Sequence, residues 1–274
     1  MELKLDLHIH SLYSPDGRMT LGEIVTRCQA VGLDGCAVCD HDQVLPLEEV
    51  RRIRELYPDF LLIPGTEVST DLGHLLGWFV TEPVAERNLR DAAAAIHAQG
   101  GIAVLAHPYE RTKDPARPAP AIPYIDGVEV WNSRAERKNH RANAMAEEFS
   151  HAHGLRRFAG SDAHVPREIG NAVTVLTMEP DGGQNAEPSG GAGVKSGRQA
   201  WEQVDGSPNG IPDLSALKTA LLRGDTHPFG VRSRAFDTAR SQFTRRRNLR
   251  AGPISYCKWA LFAVKCAFED LFRP

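Results

Sequence analysis

Short apolar runs alternate with amphipathic helical patterns along the first 176 residues, and this alternation restricts the chain to few folds. Such alternation is typical of βα units, whose strands pair in parallel in one sheet. The chain carries seven or eight units, which favours a closed or nearly closed barrel over an open sheet. Strands are predicted at residues 3–10, 35–39, 61–68, 74–80, 102–106, 127–131, 157–159 and 172–176. Helices are predicted at residues 20–31, 47–56, 89–99, 135–153 and 214–222.

Four segments of different composition follow one another along the chain. Residues 1–178 carry the βα units and form the predicted barrel. Residues 179–212 are crowded with Gly, Pro, Ser, Asn and Gln and offer little to bury, so we expect a flexible insertion there. Residues 213–232 are expected to form the last barrel-associated helix and a loop. Residues 233–274 are expected to form a basic linker and a C-terminal apolar helix.

Side chains of the metal-ligating types stand at the ends of most predicted strands. His8 and His10 close the first strand, where alternation points both imidazoles to one side, as two ligands of one metal require. Asp16 follows in a turn sequence that would bring its carboxylate back over the same edge. The carboxyl ends of barrel strands form a single rim, which is where barrel enzymes place their catalytic groups. The remaining residues of this kind are Asp40, His41, Asp42, Glu67, His74, His107, Asp162 and His164.

The joint occurrence of these residues indicates a multinuclear metal site. A single His-x-His is a weak signal, but many imidazoles and carboxylates at one rim would repel or stay unpaired without cations. Because the set contains no thiolate, its chemistry favours Zn, Mn or Fe without choosing among them. Asp40 and Asp42 either orient the imidazole of His41 from behind or are solvated loop acids.

The ordered motifs resemble those of the PHP (polymerase and histidinol phosphatase) family of metal-dependent phosphoesterases, over about residues 1–176. The resemblance implies an α/β fold, a distorted (β/α)7 barrel, here with a C-terminal helical extension. It also implies a trinuclear site holding two or three divalent metal ions, either Mn, Zn or Fe. By that resemblance the first metal would be held by His8, His10, Glu67 and Asp162, the second by Glu67, His74 and His107, and the third by Asp16, His41 and His164.

Such a site predicts a hydrolase that cleaves phosphoric ester bonds as a phosphatase or phosphodiesterase. Two neighbouring cations lower the pKa of a shared water and direct the metal-bound hydroxide at phosphorus. We expect Glu67 to bridge two metals and Asp162 and His164 to complete the catalytic set. Arg134, where a strand passes into a helix, is expected to bind the substrate phosphate.

The expected substrate is a small phosphorylated metabolite or a nucleotide, and no stable nucleic-acid partner is expected. A nuclease that trims short nucleic-acid ends is one alternative, and a non-catalytic PHP accessory module is another. Family members that hydrolyse nucleotide bisphosphates or short RNA often carry a small inserted domain ahead of the ligand that matches His107. Only about 30 residues separate His74 from His107 here, which leaves no room for that domain.

The charge of the chain is unevenly placed. Residues 231–274 hold ten Lys and Arg against three Asp and Glu, whereas the whole chain has a formal charge of −3. Residues 254–272 predict a helix that is apolar around most of its circumference, and Arg245-Arg246-Arg247 and Arg250 precede it. Such a helix is not stable alone in water. It would be buried in a groove on its own barrel, against the same helix of a second subunit, or in the surface of an anionic membrane.

The sequence also bears on location. The N-terminus lacks the pattern of a secretory signal, and the five cysteines show no disulfide framework. We therefore expect a cytoplasmic protein, with attachment to a membrane surface as the alternative that the C-terminal helix raises.

Overall fold

The computed structural model describes residues 1–178 and 212–272, so nearly all of the expected insertion at 179–212 lies outside the described residues. The described residues form one curled sheet with helices packed around it. The strands are β1 (Glu2–Ile9), β2 (Gly35–His41), β3 (Leu61–Thr70), β4 (Gly73–Trp78), β5 (Ile102–Leu105), β6 (Gly127–Asn132), β7 (Arg156–Gly160), β8 (Ala172–Thr177) and β9 (Asp225–Gly230). The α-helices are α1 (Leu21–Ala30), α2 (Leu47–Leu56), α3 (Leu89–Ala98), α4 (Ala142–His153), α5 (Leu214–Arg223), α6 (Ala235–Asn248) and α7 (Pro253–Leu271).

The sheet runs in the order β7-β6-β5-β4-β3-β2-β1-β8-β9. β1, β2 and β3 pair in parallel, as do β5, β6 and β7. β4 is antiparallel to both of its neighbours, and β8 and β9 are antiparallel additions beside β1. This reversed strand distorts the regular alternation of a barrel, and the predicted α/β barrel with C-terminal helices is confirmed.

The barrel approaches closure where the chain leaves β7 and meets β1. Ile9 and Ala163 form a parallel bridge, and the backbone N–H of His10 donates to the carbonyl of Ala163 at 2.9 Å. The buried carboxylate of Asp6 ties the same seam together, because it accepts from the backbone N–H groups of Ser161 at 2.9 Å and Gly170 at 3.0 Å. The first strand is therefore held on both sides.

The core has an inner and an outer part. Leu5, Leu7, Trp78 and Phe158 fill the barrel, and α5 packs against the same cluster, near the ends where the strands begin. Outside, α1 and α2 cover β2 and β3, while α3 and α4 cover β4, β5 and β6. The opposite ends of the strands remain open, and the site lies there.

Three predicted segments differ from the structure. The predicted helix at 135–153 is a short 3-10 turn followed by α4, because the Asn139 side chain donates to the carbonyls of Tyr109 and Thr112 between them. The loop expected at the end of segment 213–232 contains β9, which pairs with β8. The linker expected in segment 233–274 contains the helix α6. α6 escaped prediction because it buries small and polar residues such as Ala239, Ser241 and Thr244 instead of large apolar ones.

The seam at Asp6 gives a first prediction. Asp6→Ala leaves the N–H groups of Ser161 and Gly170 buried without a partner, so it should lower the free energy of unfolding by about 2–4 kcal/mol. Urea unfolding followed by circular dichroism measures this. Asp34→Ala is the control, because the exposed Asp34 also accepts from one backbone N–H of β1, that of Lys4 at 2.7 Å. Asp34→Ala should lower the free energy of unfolding by less than about 1 kcal/mol. Equal losses in both variants would contradict the role given to Asp6.

Candidate metal centre

The open ends of the strands bring the predicted ligand residues to one rim. His8 lies near the end of β1, His41 is the last residue of β2, and Glu67 lies on β3. His74 is near the start of β4. Because β4 runs opposite to β3, its first residues meet the ends of the parallel strands, so His74 lies at the same rim.

Loops supply the other predicted ligands. His10 and Asp16 follow β1, His107 follows β5, and Asp162 and His164 follow β7. His107 and Asp162 have φ angles of 27° and 55°, in the left-handed region that residues other than glycine rarely adopt. Backbone strain of this kind gathers at functional sites, where the surroundings hold it in place. Gly17 is required beside Asp16, because a Cβ there would overlap the carbonyl of Ser11.

The Glu67 carboxylate lies at the centre of the group and is buried. Oε1 is 2.6 Å from His74 Nδ1 and 3.1 Å from His107 Nε2. Oε2 is 2.8 Å from His41 Nδ1 and 3.4 Å from His10 Nε2. Each oxygen therefore has its own set of imidazoles, which is the arrangement that a bridging carboxylate needs.

The donor atoms form groups that could each hold a cation. There are three such sets, and within each set the donor atoms lie within 4.8 Å of one another. The sets are His8, His10 and Asp162; His41, Glu67 and His74; and His10, His41 and His164. Asp16 Oδ1 adds a carboxylate to the third set, at 3.7 Å from His41 Nε2 and 3.5 Å from His164 Nε2. The structure thus brings all nine predicted ligands together.

Several of these atoms lack hydrogen bonds although they are buried. Glu67 Oε2, Asp16 Oδ1 and His74 Nδ1 have contacts but no partner with hydrogen-bond geometry. A buried polar atom without a partner costs about 1–3 kcal/mol. Lone pairs that converge on shared points without donors between them fit divalent cations, and imidazole with carboxylate fits Zn, Mn or Fe. The residues present therefore fit the metals that the sequence indicates.

The electrostatics show how closely the groups are coupled. Burial alone would raise the pKa of Glu67, but the imidazoles of His74, His41 and His8 outweigh it and hold the pKa well below its usual range. For His107, burial lowers the pKa, and the carboxylates around it reverse the effect and raise the pKa to about 9. The pKa of His10 is held well below its usual range by burial and by the neighbouring imidazoles of His164 and His41.

A second row of residues holds the ligands in place. Glu129, buried on β6, has Oε1 at 2.9 Å from His8 Nδ1, and its Oε2 accepts from the backbone N–H of His107 at 2.9 Å. Ser14 Oγ lies 3.0 Å from His10 Nδ1. Sequence reasoning missed Glu129, although a lone carboxylate inside the apolar run Val128-Glu129-Val130 was the available signal. Hydrogen bonds of this type fix the orientation of metal-ligating imidazoles.

Asp40 and Asp42 have other roles than orienting His41. The carboxylate of Asp40 is buried and accepts from the backbone N–H of Ser11 at 2.7 Å and from the Ser11 hydroxyl. The carboxylate of Asp42 accepts from Ser69 and pairs with Arg87 at 2.8 Å. Asp40 is therefore not a solvated loop acid, and both carboxylates brace the loops at the rim.

A cavity of about 540 Å³ opens above the ligands. α6 forms one wall of it, through Thr238, Ser241 and Gln242 among others. Asn248 Nδ2, at the end of α6, donates to the carbonyl of Pro15 at 3.1 Å and fixes this wall over the loop that carries Asp16. Six cationic side chains line the mouth, two of them from α6, namely Arg111, Arg134, Arg137, Lys138, Arg245 and Arg246.

Arg134, the predicted phosphate contact, lines the cavity but is paired within the chain. Its Nε and Nη2 donate to the two oxygens of the buried Glu168 at 2.8 and 2.7 Å, and Nη1 donates to Ser241 at 3.2 Å. Among the described residues, Arg137 and Arg245 form no bidentate pair with a carboxylate. Arg137 Nε is buried without a hydrogen-bond partner, and Arg245 Nη1 lies 3.7 Å from Asp16 Oδ2.

The chain is similar to several known proteins. The family profile described as the PHP domain matches residues 6–161, and that described as PHP-associated matches residues 140–184. An uncharacterized protein of Methanocaldococcus jannaschii is 30% identical over 178 residues, which is 62% of this chain and 69% of that protein. A 5'-3' exoribonuclease of Haemophilus influenzae is 39% identical over 71 residues, 26% of this chain and only 25% of that enzyme. The crystal structure of PsfC from Pseudomonas syringae has a TM-score of 0.53 at 14% identity, covering 92% of this chain and 99% of PsfC.

The position of Glu67 gives a second prediction. Glu67→Gln removes a charge that faces imidazoles from both of its oxygens, so it should reduce the bound metal per chain and lower hydrolysis by a factor on the order of 10² or more. Elemental analysis of the purified variant measures the metal, and circular dichroism checks the fold. Asp42→Asn is the control, since Asp42 lines the cavity outside the donor sets, and it should keep its metal. Unchanged metal content in the Glu67 variant would refute the bridging role.

Proposed function

The chain belongs to the PHP (polymerase and histidinol phosphatase) family of metal-dependent phosphoesterases and is a hydrolase of phosphoester bonds, and we propose that it cleaves a phosphate ester of a small metabolite or nucleotide. The observation that carries the proposal is the cavity itself. Its floor is the cluster of imidazoles and carboxylates around Glu67, and its mouth is lined with arginine and lysine. A phosphorylated molecule that fits this cavity meets both.

The nine rim residues would hold the metals in the three groups that the family resemblance implies. His8, His10, Glu67 and Asp162 form one group, Glu67, His74 and His107 another, and Asp16, His41 and His164 the third. Divalent cations bound there would lower the pKa of a bound water and neutralise charge on the phosphate oxygens. Glu67, Asp162 and His164 are the catalytic residues of this proposal, because together they take part in all three groups and all three line the cavity.

The residues of the chain itself bind and orient the substrate. Arg134 was expected to bind the phosphate, but its bidentate pair with Glu168 favours a different role, which is to fix the rim to α6 through Ser241. Arg245 and Arg137 are better suited to bind an anion, because neither is neutralised by a close bidentate carboxylate. Both lie at the mouth, where they would contact a second anionic group of the substrate.

A nuclease that trims short nucleic-acid ends is the second candidate function. The 71-residue match to an exoribonuclease favours it. The wall formed by α6 favours a small substrate instead, because it closes one side of the cavity along which a longer strand would have to pass. A substrate screen separates the two, since a nuclease would prefer oligonucleotides to phosphomonoesters.

The screen is the third prediction. Protein loaded with Mn or Zn is assayed with phosphomonoesters, nucleotide bisphosphates and short oligonucleotides, and we expect the highest kcat/KM with a small substrate that carries two anionic groups. Turnover of oligonucleotides alone would favour the nuclease. No turnover of any phosphate ester, with the metals bound, would contradict the proposal and favour the non-catalytic alternative.

The role of Arg245 is the fourth prediction. Charge-assisted hydrogen bonds to an anion contribute about 1.5–3 kcal/mol, so Arg245→Gln should raise KM by roughly ten- to a hundredfold and leave kcat less affected. Arg247→Gln is the control, because Arg247 is exposed two residues away on α6 and does not line the cavity. Elemental analysis must show the same metal content in both variants. An equal KM in both would refute the assignment.

A further inference from the structure

α7 is attached to its own chain along one side only. Ala263 and Cys266 are buried against Ala235 and Ala239 of α6, and Trp259 Nε1 donates to the carbonyl of Ala239 at 2.7 Å. Arg137, on the barrel side, stacks its guanidinium 4.5 Å from the ring centre of Phe262. These contacts fix the helix in place and define its inner side.

The outer side of α7 is apolar and exposed. Leu261 is 76% exposed and Phe268 is 62% exposed, although both are large apolar side chains. Single exposed apolar residues are ordinary, but a contiguous stripe of them marks an interaction surface. The stripe follows helical spacing along the whole length of α7 and comprises Ile254, Cys257, Leu261, Val264, Phe268 and Leu271.

The charges beside this stripe are mostly positive. Lys258 and Lys265 are exposed on the outer side. Of the two acids of α7, Asp270 accepts from the backbone N–H groups of Ala235 and Phe236 at 2.7 and 2.9 Å. Glu269 lies beside the stripe, 3.9 Å from Lys265, and offsets part of its charge. The end of α6 adds the exposed Arg247, and the turn that leads into α7 adds the exposed Leu249 and Arg250.

These charges distinguish between the surfaces that could cover the stripe. A second copy of the chain would bring two surfaces of net positive charge together, and like charges at an interface are unfavourable. Anionic lipid headgroups complement the lysines, while the apolar side chains enter the acyl region. No helix among residues 1–178 and 212–272 is long and apolar enough to cross a membrane. An amphipathic helix with one apolar side flanked by lysines binds in the plane of a membrane surface.

We propose that the outer side of α7 binds the surface of an anionic membrane. The inner side of α7 packs on α6, and α6 forms a wall of the catalytic cavity. Binding would therefore hold the enzyme with α7 on the lipid and with the cavity separated from it by the α6 helix. This inference does not depend on which phosphate ester is cleaved.

Co-sedimentation of the full chain with vesicles tests the proposal. We expect binding to vesicles of equal parts phosphatidylglycerol and phosphatidylcholine, little binding to pure phosphatidylcholine, and loss of binding as salt is raised. The double variant Lys258→Glu, Lys265→Glu should bind at least roughly tenfold more weakly, because each cation near an anionic surface contributes about 1 kcal/mol. Leu261→Ser with Phe268→Ser should bind weakly even at low salt.

Matched controls change exposed residues elsewhere. Lys113→Glu alters an exposed lysine, and Leu56→Ser alters a leucine on α2 that is 59% exposed, so both should bind as the unchanged chain does. Melting temperatures close to that of the unchanged chain would show that the variants fold. The proposal is overturned if anionic vesicles do not bind the chain, or if the α7 variants bind as the controls do. It is also overturned if sedimentation velocity shows a dimer that Leu261→Ser with Phe268→Ser separates and vesicles are not bound.

Discussion

Glu67 is 1% exposed, and nitrogens of five imidazoles lie within 3.6 Å of its carboxylate oxygens. A carboxylate so deep in the protein is tolerated only where positive charge surrounds it, because its desolvation is not otherwise offset. The raised pKa of His41 and His107, about 9 for each, has the same origin, since both imidazoles face that carboxylate. The buried carboxylate and the imidazoles at the rim therefore stabilise one another's charge. Divalent cations bound there would accept lone pairs from both kinds of group.

This requirement accounts for features of the fold that packing alone does not explain. β4 reverses direction, which brings His74 to the rim from the start of a strand instead of its end. The loops at His107 and Asp162 adopt left-handed backbone angles. Glu129 is buried within an apolar strand so that one carboxylate can hold both His8 and the backbone of His107. The left-handed backbone and the buried Glu129 carboxylate each raise the free energy locally, and both serve to place a ligand.

The sequence allowed the barrel and all nine rim residues to be predicted, because alternation in strands and the position of a residue at a strand end are local properties. Glu129 could not be predicted in the same way. A single acid in a strand shows its role only when His8, which is distant in sequence, is known to face it. α6 was missed for a related reason, since its contacts with the rim are polar and its buried residues are small. Local periodicity indicates an apolar core and carries little information about interfaces made of hydrogen bonds.

α6 is held on the barrel mainly by charged and polar contacts. Arg232, just before α6, pairs with Glu136. Within α6, Asp237 lies 3.7 Å from Arg167, and Ser241 accepts from Arg134, which also pairs with Glu168. The ion pairs run in both directions, since Arg232 of the C-terminal segment meets an acid of the body and Asp237 of α6 meets an arginine of the body. Both family profiles end before residue 185, so the ligands of the rim and the cavity wall that α6 forms come from different parts of the sequence. Substitutions in α6 can therefore alter which anion enters the cavity without altering the groups that would bind the metals.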